Sequence, residues 1–175
     1  VRIEPYLNRS ELVNRNISTV IFNLVEGALI VFFVLIIFLG NFRAGLIVAS
    51  VIPLSMLFGF IMMRLFNVSA NLMSLGAIDF GIVVDGSIVI VEGILAHLYS
   101  KRFKGKTLTH DEIDREVEAG ASGVVRSANF AVLIILIVFF PLLTLTGIEG
   151  KYFTPMAKTL VFCIIGALIL SLTYV

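Results

Sequence analysis

The sequence predicts an all-α fold, a polytopic bundle of transmembrane helices. Hydrophobic residues make up 59% of the chain and charged residues 14%, and the mean hydropathy is +1.06. Many of the apolar residues fall into long segments, each near the ~20 residues that a helix needs to cross a bilayer. This composition excludes an ordinary soluble domain.

The predicted spans are separated by short connections and one long loop. Their approximate bounds are 22–39, 44–66, 72–95, 124–146 and 153–175. The loop at 97–122 begins with a basic cluster, and short loops rich in Lys and Arg mark the cytoplasmic side of a membrane protein. We therefore expect this loop to be cytoplasmic and its second half, HDEIDREVEAG, to form a short surface helix that ends at Gly120.

The segment 1–16 is polar, unlike most of the chain that follows it. VRIEPY is typical of a short strand, and Asn8 with Glu11 three residues later matches a capping box at the start of a helix. We interpret 1–16 as the end of an external domain and 17–175 as the transmembrane domain. The chain starts without Met and its last span runs to Val175, so we expect it to be a piece of a longer protein.

Several functions find no support in the sequence. The net charge of +1 gives no reason to expect nucleic-acid binding. Cys163, the single cysteine, cannot form an internal disulfide. His97 and His110 lack partners at the spacing of a metal site, so neither a metal site nor a cofactor is predicted in these residues.

The third span carries three acidic residues, although the hydrocarbon core of a membrane disfavours acidic side chains. They are Asp79, Asp85 and Glu92, within LMSLGAIDFGIVVDGSIVIVEGIL. An ionisable side chain at membrane depth costs roughly 2.5–3.5 kcal/mol on insertion scales and tends to mark a proton or ion route. Asp85 falls near the middle of the span and Glu92 near its cytoplasmic end, so we expect Asp85 to be the most costly of the three.

Helical geometry divides these acids into two groups. Asp85 and Glu92 are seven residues apart, which places them within ~20° of one another and ~10 Å apart along the axis. Asp79 lies ~120° around the helix and ~9 Å nearer the external side. Burial favours the neutral form of a carboxyl group and a nearby cation favours the charged form, so an acid whose partner moves can take up and release a proton. The alternative is that the acids are paired with polar groups in a rigid bundle.

Arg126 is a candidate partner for Glu92. It lies at the cytoplasmic start of the fourth span, and consecutive helices joined on one side of a membrane run antiparallel. Both residues are therefore expected near the same surface, and we predict an ion pair between them.

The string GAIDFGIVVDGSIVIVEG resembles the fourth-helix motif of resistance-nodulation-division (RND) efflux pumps, in their heavy-metal branch. The flanking LVNRNISTVIFNLVEGALIVFFVLIIFLGNFRAGLIVASVIPLS is similar to the same family, and the similarity covers essentially the whole chain. The resemblance implies that the spans are the second to sixth transmembrane helices of a twelve-helix protomer, and that 1–16 closes a periplasmic porter domain.

The same resemblance implies roles for the acids. Asp85 matches the acid associated with proton relay, Asp79 the additional acid typical of the DFG form, and Glu92 the acid that ends the motif. The chain departs from the family pattern at two positions: Gly93 replaces the usual Asn and Ser87 the usual Ala.

The family also implies a mechanism and partners. Proton-driven antiport of heavy-metal cations is expected, and the DFG form resembles pumps for divalent cations such as zinc, cobalt or nickel. The protein would be a secondary transporter and not an enzyme, a homotrimer in a Gram-negative inner membrane, joined to a periplasmic adaptor and an outer-membrane channel.

Two other functions remain open at the level of sequence. One is a protein-export accessory subunit of the same superfamily, although such a subunit is not expected to carry the DFG-x3-DG form. The other is a rigid membrane scaffold that transports nothing. An intramembrane aspartyl protease is excluded, because its two acids must meet across the scissile bond and Asp79 and Asp85 on one straight helix cannot do so.

Overall fold

The computed structural model describes residues 9–69, 76, 80–102 and 110–175. The regular structure in these ranges is helical, which confirms the predicted all-α bundle. The helices are α1 (Arg9–Leu39), α2 (Phe42–Leu65), α3 (Phe80–Arg102), α4 (His110–Leu143) and α5 (Gly147–Thr173). Each contains a segment long and apolar enough to cross a membrane.

Two helices extend well beyond the spans predicted for them. α1 begins at Arg9, whereas the predicted strand in VRIEPY and the Asn8 cap lie outside the described residues. α4 begins at His110 and continues to Leu143, so the surface helix predicted in the loop is present but does not end at Gly120.

Gly120 lies inside α4 because α3 passes close to it. A Cβ at this position would lie 3.2 Å from the Cα of Ile94 and 3.1 Å from the Cβ of His97. The glycine therefore permits a close approach of two helices and is not a helix cap.

A tight turn joins α1 to α2. Gly40 follows α1 with φ of 60°, a left-handed conformation that glycine adopts without strain, and its N–H donates to the carbonyl of Ile36 at 3.1 Å. Asn41 then caps α2, since its Oδ1 accepts from the N–H of Arg43 at 3.1 Å. Sequence and geometry agree here: a helix-ending glycine is followed at once by a helix-starting asparagine.

The packing separates central from peripheral helices. α3 packs most extensively on α4, and α2 on α5. In the apolar window of α5, 44% of the residues are buried, compared with 6% in that of α1. The outward faces of α1 and α4 carry large apolar side chains, among them Phe33, Ile37, Phe130 and Ile137. Such faces suit contact with lipid.

Candidate functional site on the third helix

The helix α3 has a packed side and an open side. Four residues on the packed side are at most 2% exposed: Val83, Val84, Ser87 and Ile90. The open side carries the exposed residues Asp85, Val89, Glu92 and Ala96. Asp85 and Glu92, the acidic stripe, therefore share one side of the helix, whereas Asp79 lies outside the described residues.

Glycines hold α3 close to α4. A Cβ on Gly93 would lie 2.6 Å and 2.7 Å from the two Cγ atoms of Val124, and one on Gly86 would lie 3.3 Å from a Cγ of Val132. Cβ atoms in proteins essentially never lie within 3.0 Å of such a neighbour, and both distances at Gly93 are shorter than that. An asparagine at position 93 would therefore push the helices apart. The departure at Gly93 thus has a packing explanation.

The helices run antiparallel in a register set by these contacts. Gly86 faces Val132 and Gly93 faces Val124, so Arg126 lies at about the level of Glu92, as predicted. Glu92, however, is ~100° around the helix from Gly93. Both Glu92 and Arg126 are exposed, and between these two described residues the structure has no ion pair. Their pairing stays a prediction for the intact protein.

A different polar contact joins α3 and α4 near the end of α3 and the start of α4. The Nε2 of His97 lies 2.7 Å from the Oε2 of Glu116, and both side chains are partly buried. Gly120, one turn along α4 from Glu116, packs directly beneath the Cβ of His97. This pair was not predicted, because His97 lacks partners at metal-ligand spacing in the sequence and Glu116 comes near it only through the packing of the next helix.

Two buried polar atoms lie near the packed side. In the described part of the chain, the Oγ of Ser87 and the Oδ1 of Asn129 have no hydrogen-bond partner. The other buried serines behave differently: Ser55 donates to the carbonyl of Ile52 and Ser171 to that of Leu168, each at 2.8 Å. An unpartnered buried hydroxyl costs about 1–3 kcal/mol, so Ser87 is an unusual feature of the packed side of α3.

Comparison with known proteins assigns this arrangement to a family. The sequence profile of the AcrB/AcrD/AcrF family matches residues 1–175. The chain belongs to that family. It is 49% identical over 176 residues to the cobalt-zinc-cadmium resistance protein CzcA of Cupriavidus metallidurans, covering 100% of this chain and 17% of CzcA. It is 48% identical to the nickel and cobalt resistance protein CnrA of the same organism, covering 100% of this chain and 16% of CnrA.

A solved structure agrees with this assignment. The crystal structure of a heavy metal efflux pump superimposes with a TM-score of 0.84 at 42% identity, covering 98% of this chain and 16% of the pump. The resemblance to RND transporters of the heavy-metal branch is thus confirmed. The chain spans 17% of the length of CzcA, and it forms part of a multi-pass protein of the inner membrane.

Within this RND segment the described residues offer no ready metal site. No three His, Cys, Asp or Glu side chains of the described ranges come together in a way that could hold a metal ion. Cys163 is fully buried in an apolar cluster with Val51, Val83 and Ala167.

Proposed function

We propose that this segment supplies the proton-relay helix of an RND pump that exports divalent heavy-metal cations in exchange for protons. The observation that carries the proposal is the position of Asp85, which lies in a membrane-spanning helix and on its open side. The assignment of the chain to the RND transporters supports a transporter and not an enzyme.

The open side of α3 differs chemically from the lipid-facing sides of its neighbours. Phe130 and Ile137 on α4 are 66% and 61% exposed, and hydrocarbon accepts such side chains at no cost. A carboxylate facing hydrocarbon would cost several kcal/mol. The acidic stripe therefore faces protein or a water-filled path in the intact pump, supplied by parts of the protein beyond these residues.

The three acids have distinct places in the proposed relay. Asp85 takes up protons from the periplasmic side together with Asp79, and Glu92 lies toward the cytoplasm with Arg126 as its candidate partner. The ~10 Å between Asp85 and Glu92 along the axis exceeds hydrogen-bond reach, so transfer between them needs an intermediate group. Ser87 is ~200° around the helix from Asp85 and does not bridge the two acids.

Protonation of Asp85 would neutralise its carboxylate, so that the side chain no longer requires polar surroundings, and would shift the packing of α3. That shift drives the substrate conformations of the porter domain, whose end we assign to 1–16, with 17–175 as helices two to six. Each charge that crosses the membrane gains about 2.3 kcal/mol per 100 mV. A homotrimer with a periplasmic adaptor and an outer-membrane channel completes the proposed export path.

Substitution of Asp85 by Asn in the full-length parent protein tests the relay. Asparagine keeps the size of the side chain and cannot exchange a proton, so we expect metal tolerance and metal-driven proton flux to fall on the order of 100-fold or more, the low end of what a positioned proton-transfer group contributes. Glu118, an exposed acid on α4, provides the matched control as Glu118→Gln. If Asp85→Asn assembles normally and still transports, Asp85 is structural and the relay assignment is wrong.

The substrate class has a separate test. Cells that produce the parent protein should tolerate more zinc, cobalt, nickel or cadmium than cells that lack it, and should not tolerate more copper or silver. This expectation rests on the metals in the names of CzcA and CnrA. Tolerance confined to copper and silver would contradict the proposed divalent substrate but would not contradict the proposed proton relay.

A further inference from the structure

A basic pocket lies at the external end of the bundle, opposite the His97–Glu116 contact. It has a volume of about 360 Å³, within the range of small-molecule sites. The end of α2 and the segment after it form one wall, and the α4–α5 connection with the first turns of α5 forms the other. Its lining residues, here called the outer pocket, are Phe66, Asn67, Val68, Ser69, Leu145, Thr146, Gly147, Gly150, Lys151, Thr154, Pro155 and Lys158.

The charged residues that line the outer pocket in the described part of the chain have one sign. Lys151 and Lys158 are seven residues apart on α5 with Thr154 between them, so all three lie along one side of the helix. Among the described lining residues no carboxylate balances them, since Glu149 in the first turn of α5 is not part of the lining. Two lysines and a threonine thus line one cavity.

The backbone adds donors to the same place. Thr146 occupies the N-cap position of α5 but its side chain makes no capping hydrogen bond. The first N–H groups of a helix have no partner within the helix, and together with the positive end of the helix dipole they favour an anion. Gly147 lines the pocket and has open space where a Cβ would lie, so no side chain at this position keeps a ligand from the backbone.

Aromatic residues indicate that the outer pocket lies at the level of the lipid headgroups. Phe66 and Tyr152 are 63% and 56% exposed at this end of the bundle, and Phe66 stacks on Phe162 with ring centroids 5.4 Å apart. Tyrosine is enriched where a membrane meets water, at the level of the lipid headgroups. Lysine side chains near helix ends reach the same level.

We propose that the outer pocket binds a phosphate group, supplied by the headgroup of an anionic phospholipid in the outer leaflet of the inner membrane. Lys151, Thr154 and Lys158, which lie along one side of α5, bind the phosphate, the positive end of the α5 dipole adds to its attraction, and the aromatic residues contact the glycerol and upper acyl region. Inorganic phosphate shares the recognised chemistry and is the second possible source. This site is independent of the proton relay.

Binding to the delipidated full-length parent protein in detergent tests the site. The probes are dihexanoyl phosphatidylglycerol, inorganic phosphate and dihexanoyl phosphatidylcholine. The affinity of each probe is measured by calorimetry or native mass spectrometry. We expect phosphatidylglycerol to bind more tightly than phosphatidylcholine, and the affinity to fall about fivefold for each lysine removed in Lys151→Gln/Lys158→Gln. Lys151→Arg/Lys158→Arg should retain binding because it keeps both charges.

Matched controls separate this site from general charge effects. Arg43→Gln/Arg115→Gln removes two exposed cations at the opposite end of the bundle and should leave phosphatidylglycerol binding unchanged. Inorganic phosphate that binds as tightly as the lipid and competes with it would identify free phosphate as the ligand of the same pocket. The proposal is wrong if no phosphate probe binds more tightly to the parent than to the Lys→Gln variant, or if the Arg→Gln control loses as much affinity.

Discussion

The two sides of α3 are built for different purposes. On the packed side, Gly86 and Gly93 bring α4 within van der Waals contact, and a substitution there changes the fit between helices. On the open side, Asp85 and Glu92 are exposed in the described part of the chain. One helix therefore separates the residues that determine stability from those proposed to carry protons, and each half of this comparison can be tested by itself.

The strongest test on the packed side is Gly93→Ala. Its Cβ would meet Val124 at 2.6 Å, and overpacking of this kind costs about 1–3 kcal/mol. The control is Gly123→Ala on α4, where a Cβ has open space and alanine should stabilise the helix by about 0.5–1 kcal/mol. Thermal unfolding of the full-length protein in detergent should thus shift in opposite directions for the two variants. A shift in the same direction for both would show that α3 and α4 are not held this closely.

A smaller effect is expected at the contact between His97 and Glu116, where the two helices meet near the end of α3. His97→Ala and Glu116→Ala each remove the 2.7 Å contact, and since both side chains are partly exposed the loss should be about 0.5–1 kcal/mol. The double variant should cost less than the sum of the two single ones, because the shared contact can be lost only once. Additive losses in thermal unfolding would mean that the two residues act separately.

The smallest effect is expected for Ser87→Ala. This change removes a buried hydroxyl without a partner, so stability should stay the same or rise by up to about 1 kcal/mol. Ser55→Ala removes a hydroxyl that donates to Ile52 and should lower stability by about 0.5–1.5 kcal/mol. Equal losses would contradict the distinction between the two serines. A loss of transport in Ser87→Ala at unchanged stability would assign Ser87 to the proton path.

The sequence was sufficient for features that depend on one helix at a time. Apolar segments of membrane length predicted the bundle, and the seven-residue spacing placed Asp85 and Glu92 on one side of α3. Features that depend on two helices were not predictable in the same way. Gly120 has the local signature of a helix end, yet contact with Ile94 and His97 keeps it inside α4.

The Glu92–Arg126 prediction illustrates the same limit. Antiparallel topology places the two residues at a common height, and the register of the glycine contacts agrees with that height. Rotation of each helix about its axis is set by packing, and it directs Gly93 toward α4 and leaves Glu92 on the open side. Sequence spacing gives relative angles within a helix but not the angle at which its neighbour lies.

The length of α4 has a mechanical consequence. Its 34 residues extend ~50 Å at 1.5 Å each, whereas the hydrocarbon core is ~30 Å thick. About 20 Å of helix therefore extends beyond the hydrocarbon at the end that begins with His110, where His97 of α3 contacts it. A slight tilt of α3 and α4 within the bilayer would become a larger displacement at the tip near His110, as at the end of a lever. A spectroscopic label at the tip would report movements of α3 from outside the membrane.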